Sequence, residues 1–380
     1  MIRRLIDKFK FLIIRVAAPR LINIVFGFLP RKKDTLLIIK TDGIGDYILF
    51  RNYLSFLKQS QKYKHYKIYV LANATSKDLA EHFDSDTVDD FFWYADGYFL
   101  QWKLLKLLLN LQLLQLNSII YTNYSRKYAV DWIVKNVNAK YKTGVDGDLV
   151  NQAANLKQKT DKYYTQLIKM PPDPVHEFER NKQLFEIITG EKCSLTRPYI
   201  DKSRLNLAPD NNIVIFTGAS DSSRKWDNKN FNGLCKMILS NLDSRVILAG
   251  GKDEVQDGFK IADGLAAHDN FFNKIGTLNL VQLCELIGSA KLLISADTVA
   301  IHIAAALCVP AICISKGDLY GRFIPYLGHL ANNITCIYPN DLKANDVHYA
   351  EWSAHSINAV LPKDVYTAIE NVLKIHKYIS

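Results

Sequence analysis

From Asp34 onward the chain alternates short all-apolar runs with longer segments whose apolar residues recur every three or four positions. TLLIIK (35–40), YKIYVLA (66–72), Val88–Tyr94, Ser118–Thr122 and Lys140–Gly144 read as strands. Helical spacing fills the intervals at Tyr47–Leu57, Thr75–His82, Trp102–Leu116, Arg126–Val137 and His176–Thr189. After a polar linker, Asn206–Asn212, the same grammar restarts with NIVIF (212–216), RVILAGG (245–251), a short strand at 271–275 and the run Leu292–Ser295. Helices are expected at Phe231–Leu242, 255–266, Leu278–Ile287, Val299–Leu307 and Pro362–His376. Strands that are apolar throughout, each followed by a helix, belong to parallel sheets covered on both faces. The expectation is therefore an α/β chain of two successive βα domains, 34–205 and 206–361. The closing segment 362–380 is expected to pack back on the first of them. Gly147–Thr160 is polar and weakly patterned, which suits a mobile loop over a cleft or an ordinary surface excursion.

One stretch organises the rest: KLLISADTVAIHIAAALCVPAICI (291–314), a strand, a polar corner, a helix of small apolar residues and a second apolar run. Its polar corner, Asp297 and Thr298, lies at the carboxyl end of a strand, where open α/β sheets bind ligands. His302 follows one helical turn after Thr298 on the same face. Asp297 reads equally as a helix cap, and His302 as a satisfied interior histidine. A second corner, TDGIGD (41–46), places Asp46 at a helix start behind Gly43 and Gly45. It lacks the third glycine of a dinucleotide fingerprint, but two glycines permit close approach of a ligand. Helix capping is the competing role for Asp46.

Composition narrows the class. Of 380 residues, 48% are apolar and 23% charged, as in an ordinary globular protein. The six cysteines form no CxxC and no metal-ligand spacing with histidine, and Cys308 and Cys313 fall within apolar runs, as free thiols in a reducing compartment would. Residues 1–33 hold nine Lys/Arg against Asp7 alone, a charge of +8, leaving +2 of the total +10 for the other 347 residues. A nearly neutral body does not suit a nucleic-acid binder, which needs a basic face on its folded domain. In residues 2–17, Ile2, Leu5, Ile6, Phe9, Leu12, Ile13 and Val16 recur at spacings of three and four, predicting an amphipathic helix that ends near Pro19. Leu21–Leu29 is too short to span a bilayer, and no small-residue cleavage site follows it. Residues 1–33 thus read as a segment lying on an anionic cytoplasmic leaflet, or as a helix packed on the protein's own body.

Four segments together resemble glycosyltransferase family 9, the lipopolysaccharide heptosyltransferases and their relatives. They are IIKTDGIGDYIL (38–49), FTGASDSSRKWDNKNF (216–231), VILAGGKDE (246–254) and SADTVAIHIAAALCVP (295–310), with HEFERNKQLFEIITG (176–190) at the domain junction. The resemblance spans residues 34–340. It implies a GT-B fold: two Rossmann-like domains with parallel sheets facing an interdomain cleft, the acceptor on the first and the nucleotide-sugar donor on the second.

By position, Asp46 matches the acid proposed as general base on the acceptor hydroxyl, with Gly43 and Gly45 as the acceptor-side turn. Gly218, Ser220 and Lys225 match the loop that meets the donor's diphosphate, and Glu254 matches the acid that binds the ribose. Asp297, Thr298 and His302 match the stretch closing round the diphosphate and sugar. These types suit the chemistry. A lysine and a helix N-terminus supply positive charge where diphosphate departs, and one carboxylate can accept both hydrogen bonds of a vicinal diol.

The resemblance further implies a metal-independent transferase without a cofactor, and the basic leader suits a peripheral place on the inner face of the plasma membrane. ADP-heptose is the default donor, and a glycolipid or polysaccharide precursor such as lipopolysaccharide is the acceptor. Two departures stand out: Val299 replaces the family's glycine after Asp-Thr, and Thr-Asp-Gly-Ile replaces a serine-rich run before Gly-Asp. Val299 keeps open a non-catalytic nucleotide-sugar-binding protein on the same frame. A nucleotide-sugar epimerase is the other alternative, and it would need neither acceptor nor membrane segment.

Overall fold

The structure, a computed structural model, describes residues 13–97, 102–171, 174–219, 221–346 and 348–377. The chain divides into two compact units, residues 1–171 with 180–193, and residues 172–179 with 194–380.

In the first unit a π-helical stretch, Ile13–Ala17, leads into α1 (Ala18–Gly27). There follow β1 (Thr35–Lys40), α2 (Ile44–Gln59), β2 (Lys67–Asn73), α3 (Lys77–Asp84), β3 (Asp90–Tyr94), α4 (Trp102–Leu113), β4 (Ser118–Tyr121), α5 (Tyr128–Asn136), β5 (Tyr141–Asp146), α6 (Ala154–Asp161), β6 (Gln166–Lys169) and, from Arg180 on, α7 (Glu177–Thr189). The strands form one sheet in the order β3-β2-β1-β4-β5-β6, parallel throughout. β1 is buried at every position, because helices lie on both faces and no residue of it can face water.

The second unit repeats the plan with β7 (Asn212–Phe216), α8 (Asn228–Asn241), β8 (Arg245–Ala249), α9 (Val255–Ile261), β9 (Phe271–Asn273), α10 (Leu280–Gly288), β10 (Leu292–Ala296), α11 (Val299–Leu307), β11 (Ala311–Ile314), β12 (Ile334–Ile337) and α12 (Pro362–Lys377). Its order is β12-β11-β10-β7-β8-β9. Numbered within each unit, both sheets read 3-2-1-4-5-6, the doubly wound order. Each order reverses between its first and fourth strands, so the crevices for ligands lie at the carboxyl ends of β1 and β4, and of β7 and β10.

Three expectations need correcting. The polar stretch 147–160 runs into an ordered helix, α6, rather than a mobile loop. Its charges are spent inside the unit: Arg126, almost fully buried, pairs with Asp131 and Asp161, while Lys157 pairs with Asp146 and Asp161. The closing helix α12 joins the core of the second unit. Val365, Ala368 and Ile369 join Leu234 and Ile238 of α8 in one core. At the amino end, residues 2–12 of the expected amphipathic helix lie outside the described residues. Pro19 does not end helical structure; it occupies the first turn of α1, directly after the π-helical stretch. Among the described residues, no helix is long and apolar enough to cross a membrane.

Candidate active site

In the second unit the loop after β7 is shaped by two anchors. Asp221 accepts from Ser223 N (2.8 Å) and so caps a single 3-10 turn, Ser222–Arg224. Trp226, buried, donates from Nε1 to Val360 O (2.9 Å) and meets Phe231 edge-on. Between these anchors Arg224 reaches β10: its Nη1 lies 3.9 Å from Asp297 Oδ2 and donates to Asp297 O at 3.4 Å. The adjacent Lys225 instead bonds Asp257 on α9, whose other carboxylate oxygen takes Asn228 Nδ2.

Asp297 follows β10 directly and is 5% exposed. Burial pushes its carboxyl up to about 6; the Arg224 guanidinium opposes that rise and Asp318 adds to it. Asp297 is not the cap of α11. Thr298 is: its hydroxyl accepts from Ala300 N and pairs with Ser295 Oγ at 2.9 Å. The Asp297 carboxylate is thereby left to a crevice lined by Arg224, Ser315, Lys316, Asp318 and Ile357. Lys316 holds Asp318 at 3.3 Å and donates to Ser353 O, so the crevice balances two cations against two acids. Val299 takes the first helical position of α11 without a positive φ, so the absent glycine costs the helix start no strain.

His302 is a buried, bonded histidine. Its Nδ1 lies 2.7 Å from Tyr326 Oη. Burial, with His176 and Arg224 nearby, lowers it to about 3, so it brings no positive charge to a diphosphate at neutral pH. His176 belongs to the same cluster, its Nδ1 accepting from Phe178 N while Nε2–H donates to Phe323 O.

Glu254 closes the turn after β8. Its Oε2 would lie 2.7 Å from a Cβ on Gly251 and 3.4 Å from one on Gly218, so the carboxylate rests against two residues that lack side chains. Ser220 lies outside the described residues.

In the first unit Gly43 is the N-cap of α2, in extended conformation, and Asp46 is the third helical residue. The competing cap role therefore falls to Gly43. Asp46 Oδ2 folds back toward it, 3.5 Å from where a Gly43 Cβ would stand. Gly45 is the second helical residue. Lys40, at the end of β1 and 1% exposed, pairs with Asp42 at 3.3 Å. Asn123, after β4, donates to Thr41 Oγ1 across the switch point.

The structure thus joins Asp297 and Thr298 with Arg224, Lys316 and Asp318, three residues that sequence reasoning passed over. Glu254 and Gly218 come together, whereas Lys225 turns to α9. The available signal for Arg224 was the Asp-x-Ser cap just before it.

Two like-ordered Rossmann sheets, with polar groups gathered at both switch points, define a protein on a GT-B frame. The sequence profile of glycosyltransferase family 9 (heptosyltransferase) matches residues 119–347, more than half of the chain, and the chain belongs to that family. It is similar in structure to the Escherichia coli heptosyltransferase WaaC with ADP-2-deoxy-2-fluoro heptose (TM-score 0.66, 17% identity, 89% of this chain and 99% of that one). It is also similar to a family 9 glycosyltransferase from Veillonella parvula DSM 2008 (0.69, 14%, 91% and 99%). E. coli ADP-heptose lps heptosyltransferase II is a third (0.62, 16%, 90% and 99%). At these identities the likeness is one of fold. No curated protein matches the sequence.

Proposed function

We propose that this glycosyltransferase moves a sugar, heptose in the first instance, from a nucleotide diphosphate donor to a lipopolysaccharide or other surface-glycan precursor at the cytoplasmic face of the membrane. The observation that carries the reading is the Arg224–Asp297 pair across the switch point between β7 and β10, where a doubly wound sheet takes its ligand. Glu254, resting against Gly218 and Gly251, suits a ribose diol beside it. The structural relatives bound to ADP and to an ADP-heptose analogue support the donor class.

In this mechanism the donor's diphosphate accepts hydrogen bonds from Arg224 and lies at the positive end of the α11 dipole. Positive charge there stabilises the oxyanion that accumulates as the glycosidic bond to phosphate breaks. The role first drawn for Lys225 passes to Arg224, with Lys225 holding the loop through Asp257. Asp46 accepts the proton of the acceptor hydroxyl as that oxygen attacks the anomeric carbon. No metal takes part, so activity should survive EDTA; loss with EDTA and rescue by magnesium would show another mechanism.

The test is calorimetry with a panel of nucleotide sugars, followed by mass spectrometry of transfer from the one that binds. A new glycosidic product is expected. Tight binding with no product on any acceptor would favour the non-catalytic alternative, and an isomerised donor the epimerase. The unstrained start of α11 at Val299 weighs against a disabled site.

A further inference from the structure

The first unit carries an apolar surface that the proposed reaction does not use. α1 has two apolar faces. Pro19 and Ile22, helped by the partly buried Phe26, pack into the unit's core against α4. Leu21, Ile24, Val25 and Phe28, spaced i, i+3, i+4 and i+7, point outward at 63%, 62%, 57% and 86% exposure. α4 repeats the arrangement: beneath it lie Leu104, Leu105, Leu108 and Leu111, while Trp102, Lys106, Leu109 and Leu113 form an outward stripe. Gln112 Nε2 donates to Asn23 Oδ1 at 2.7 Å, and Lys32 N donates to Gln115 O at 2.8 Å, so the two helices are tied side by side.

Single exposed apolar residues need no explanation, but aligned stripes on two adjoining helices mark a surface that something covers. The charge identifies what. Arg20, Arg31, Lys32, Lys33, Lys103 and Lys106 are all exposed around these stripes, and neither 13–33 nor 102–113 contains an Asp or Glu. A second copy of the chain, docked on the same face, would set these cations against their own images. An anionic lipid surface complements them. Apolar side chains enter the acyl boundary, lysine and arginine meet the headgroup phosphates, and tryptophan suits the interface between.

We propose that α1 and α4 together form a face that lies in an anionic leaflet, so that the folded unit itself, and not only its basic leader, docks on lipid. This deepens the membrane part of the function proposed above and depends on no residue before Ile13.

Co-sedimentation of the full chain with vesicles of phosphatidylglycerol and phosphatidylcholine, against phosphatidylcholine alone, tests it. The wild type should bind the anionic vesicles selectively. The double variants Leu21→Ser/Phe28→Ser and Trp102→Ser/Leu113→Ser should each bind at least tenfold more weakly, and Lys103→Glu/Lys106→Glu likewise. Circular dichroism and melting temperature should be unchanged in all three, which reports that the first unit stays folded, and ADP binding by calorimetry should be unchanged as well. Wild-type vesicle binding by the α1 and α4 variants would overturn the proposal, as would a wild type that ignores anionic vesicles. A wild-type dimer that both variants convert to monomer in light scattering would overturn it too, assigning the face to a second copy. Vesicle binding without ADP binding would instead fail the donor reading and leave this one standing.

Discussion

Arg224 and Asp297 meet from opposite sides of the switch point in the second sheet, Nη1 standing 3.9 Å from Oδ2 at a carboxylate almost closed to water. The pair gathers one positive and one negative group where the sheet opens, and it ranks the two neighbouring cations of the loop. Arg224→Ala should weaken ADP binding by about 1.5–3 kcal/mol, the range for hydrogen bonds to charged groups, and Lys225→Ala by less. Calorimetry on both decides. The reverse ranking would return the diphosphate to Lys225.

Asp297 makes stability depend on pH in a definite direction. Its folded value, about 6, lies above the ordinary 3.8. The folded protein therefore holds a proton that the unfolded chain has lost between these values, and Asp297's contribution is most favourable below the lower one and declines up to the higher. Asp297→Asn should abolish that decline. The stability difference between mutant and wild type should shift by about 1–3 kcal/mol in the mutant's favour from pH 4 to pH 6.5, then level off. Urea melts of both proteins measure it, and a flat difference would mean that the carboxyl is not held protonated.

Glu254→Gln keeps the size of the side chain but leaves one acceptor where there were two. Adenosine and ADP should both lose affinity, by about 1 kcal/mol or more, because the proposed partner is the ribose they share. Gly218→Ala should weaken both as well, since its Cβ would crowd the Phe216 ring at 3.0 Å and Glu254 at 3.4 Å. Loss for ADP alone would move Glu254 to the phosphates.

Asp46→Asn separates catalysis from helix stability. Gly43 already occupies the cap, so the mutation should lower stability by only about 0.3–1 kcal/mol through the helix dipole. Turnover should fall about 10²–10⁴-fold with ADP affinity unchanged, the scale for loss of a general base. Rate and melting measurements on the purified mutant check both. Full activity would send the search for the base elsewhere in the first unit.

Much of this molecule was legible along the chain. Apolar runs such as LLII (36–39) and IVIF (213–216) suit strands covered on both faces, and the polar corners that follow them or their neighbours, with Asp46 and Asp297, were marked before any contact was known. Three of the elements that escaped share a reason. β6 and β12 are four-residue elements at sheet edges, and α6 is a polar helix held by ion pairs; none of them writes an apolar period.

Local chemistry thus determined the βα alternation, both polar corners and the resemblance to a transferase family, because burial imposes a period on each element separately. Which of two adjacent residues enters the site carries no period. Asp297 and Thr298 are both good caps in isolation; in the fold the Thr298 hydroxyl, paired with Ser295 Oγ, accepts from Ala300 N, so the threonine is the cap and the carboxylate is left to the crevice. Arg224 and Lys225 are equally basic, and only the Asp221 cap and the Trp226 anchor turn one toward Asp297 and the other toward Asp257. The second choice depends on partners tens of residues away, Asp297 for Arg224 and Asp257 for Lys225. The tertiary structure makes that choice, because it alone brings those partners within hydrogen-bonding distance.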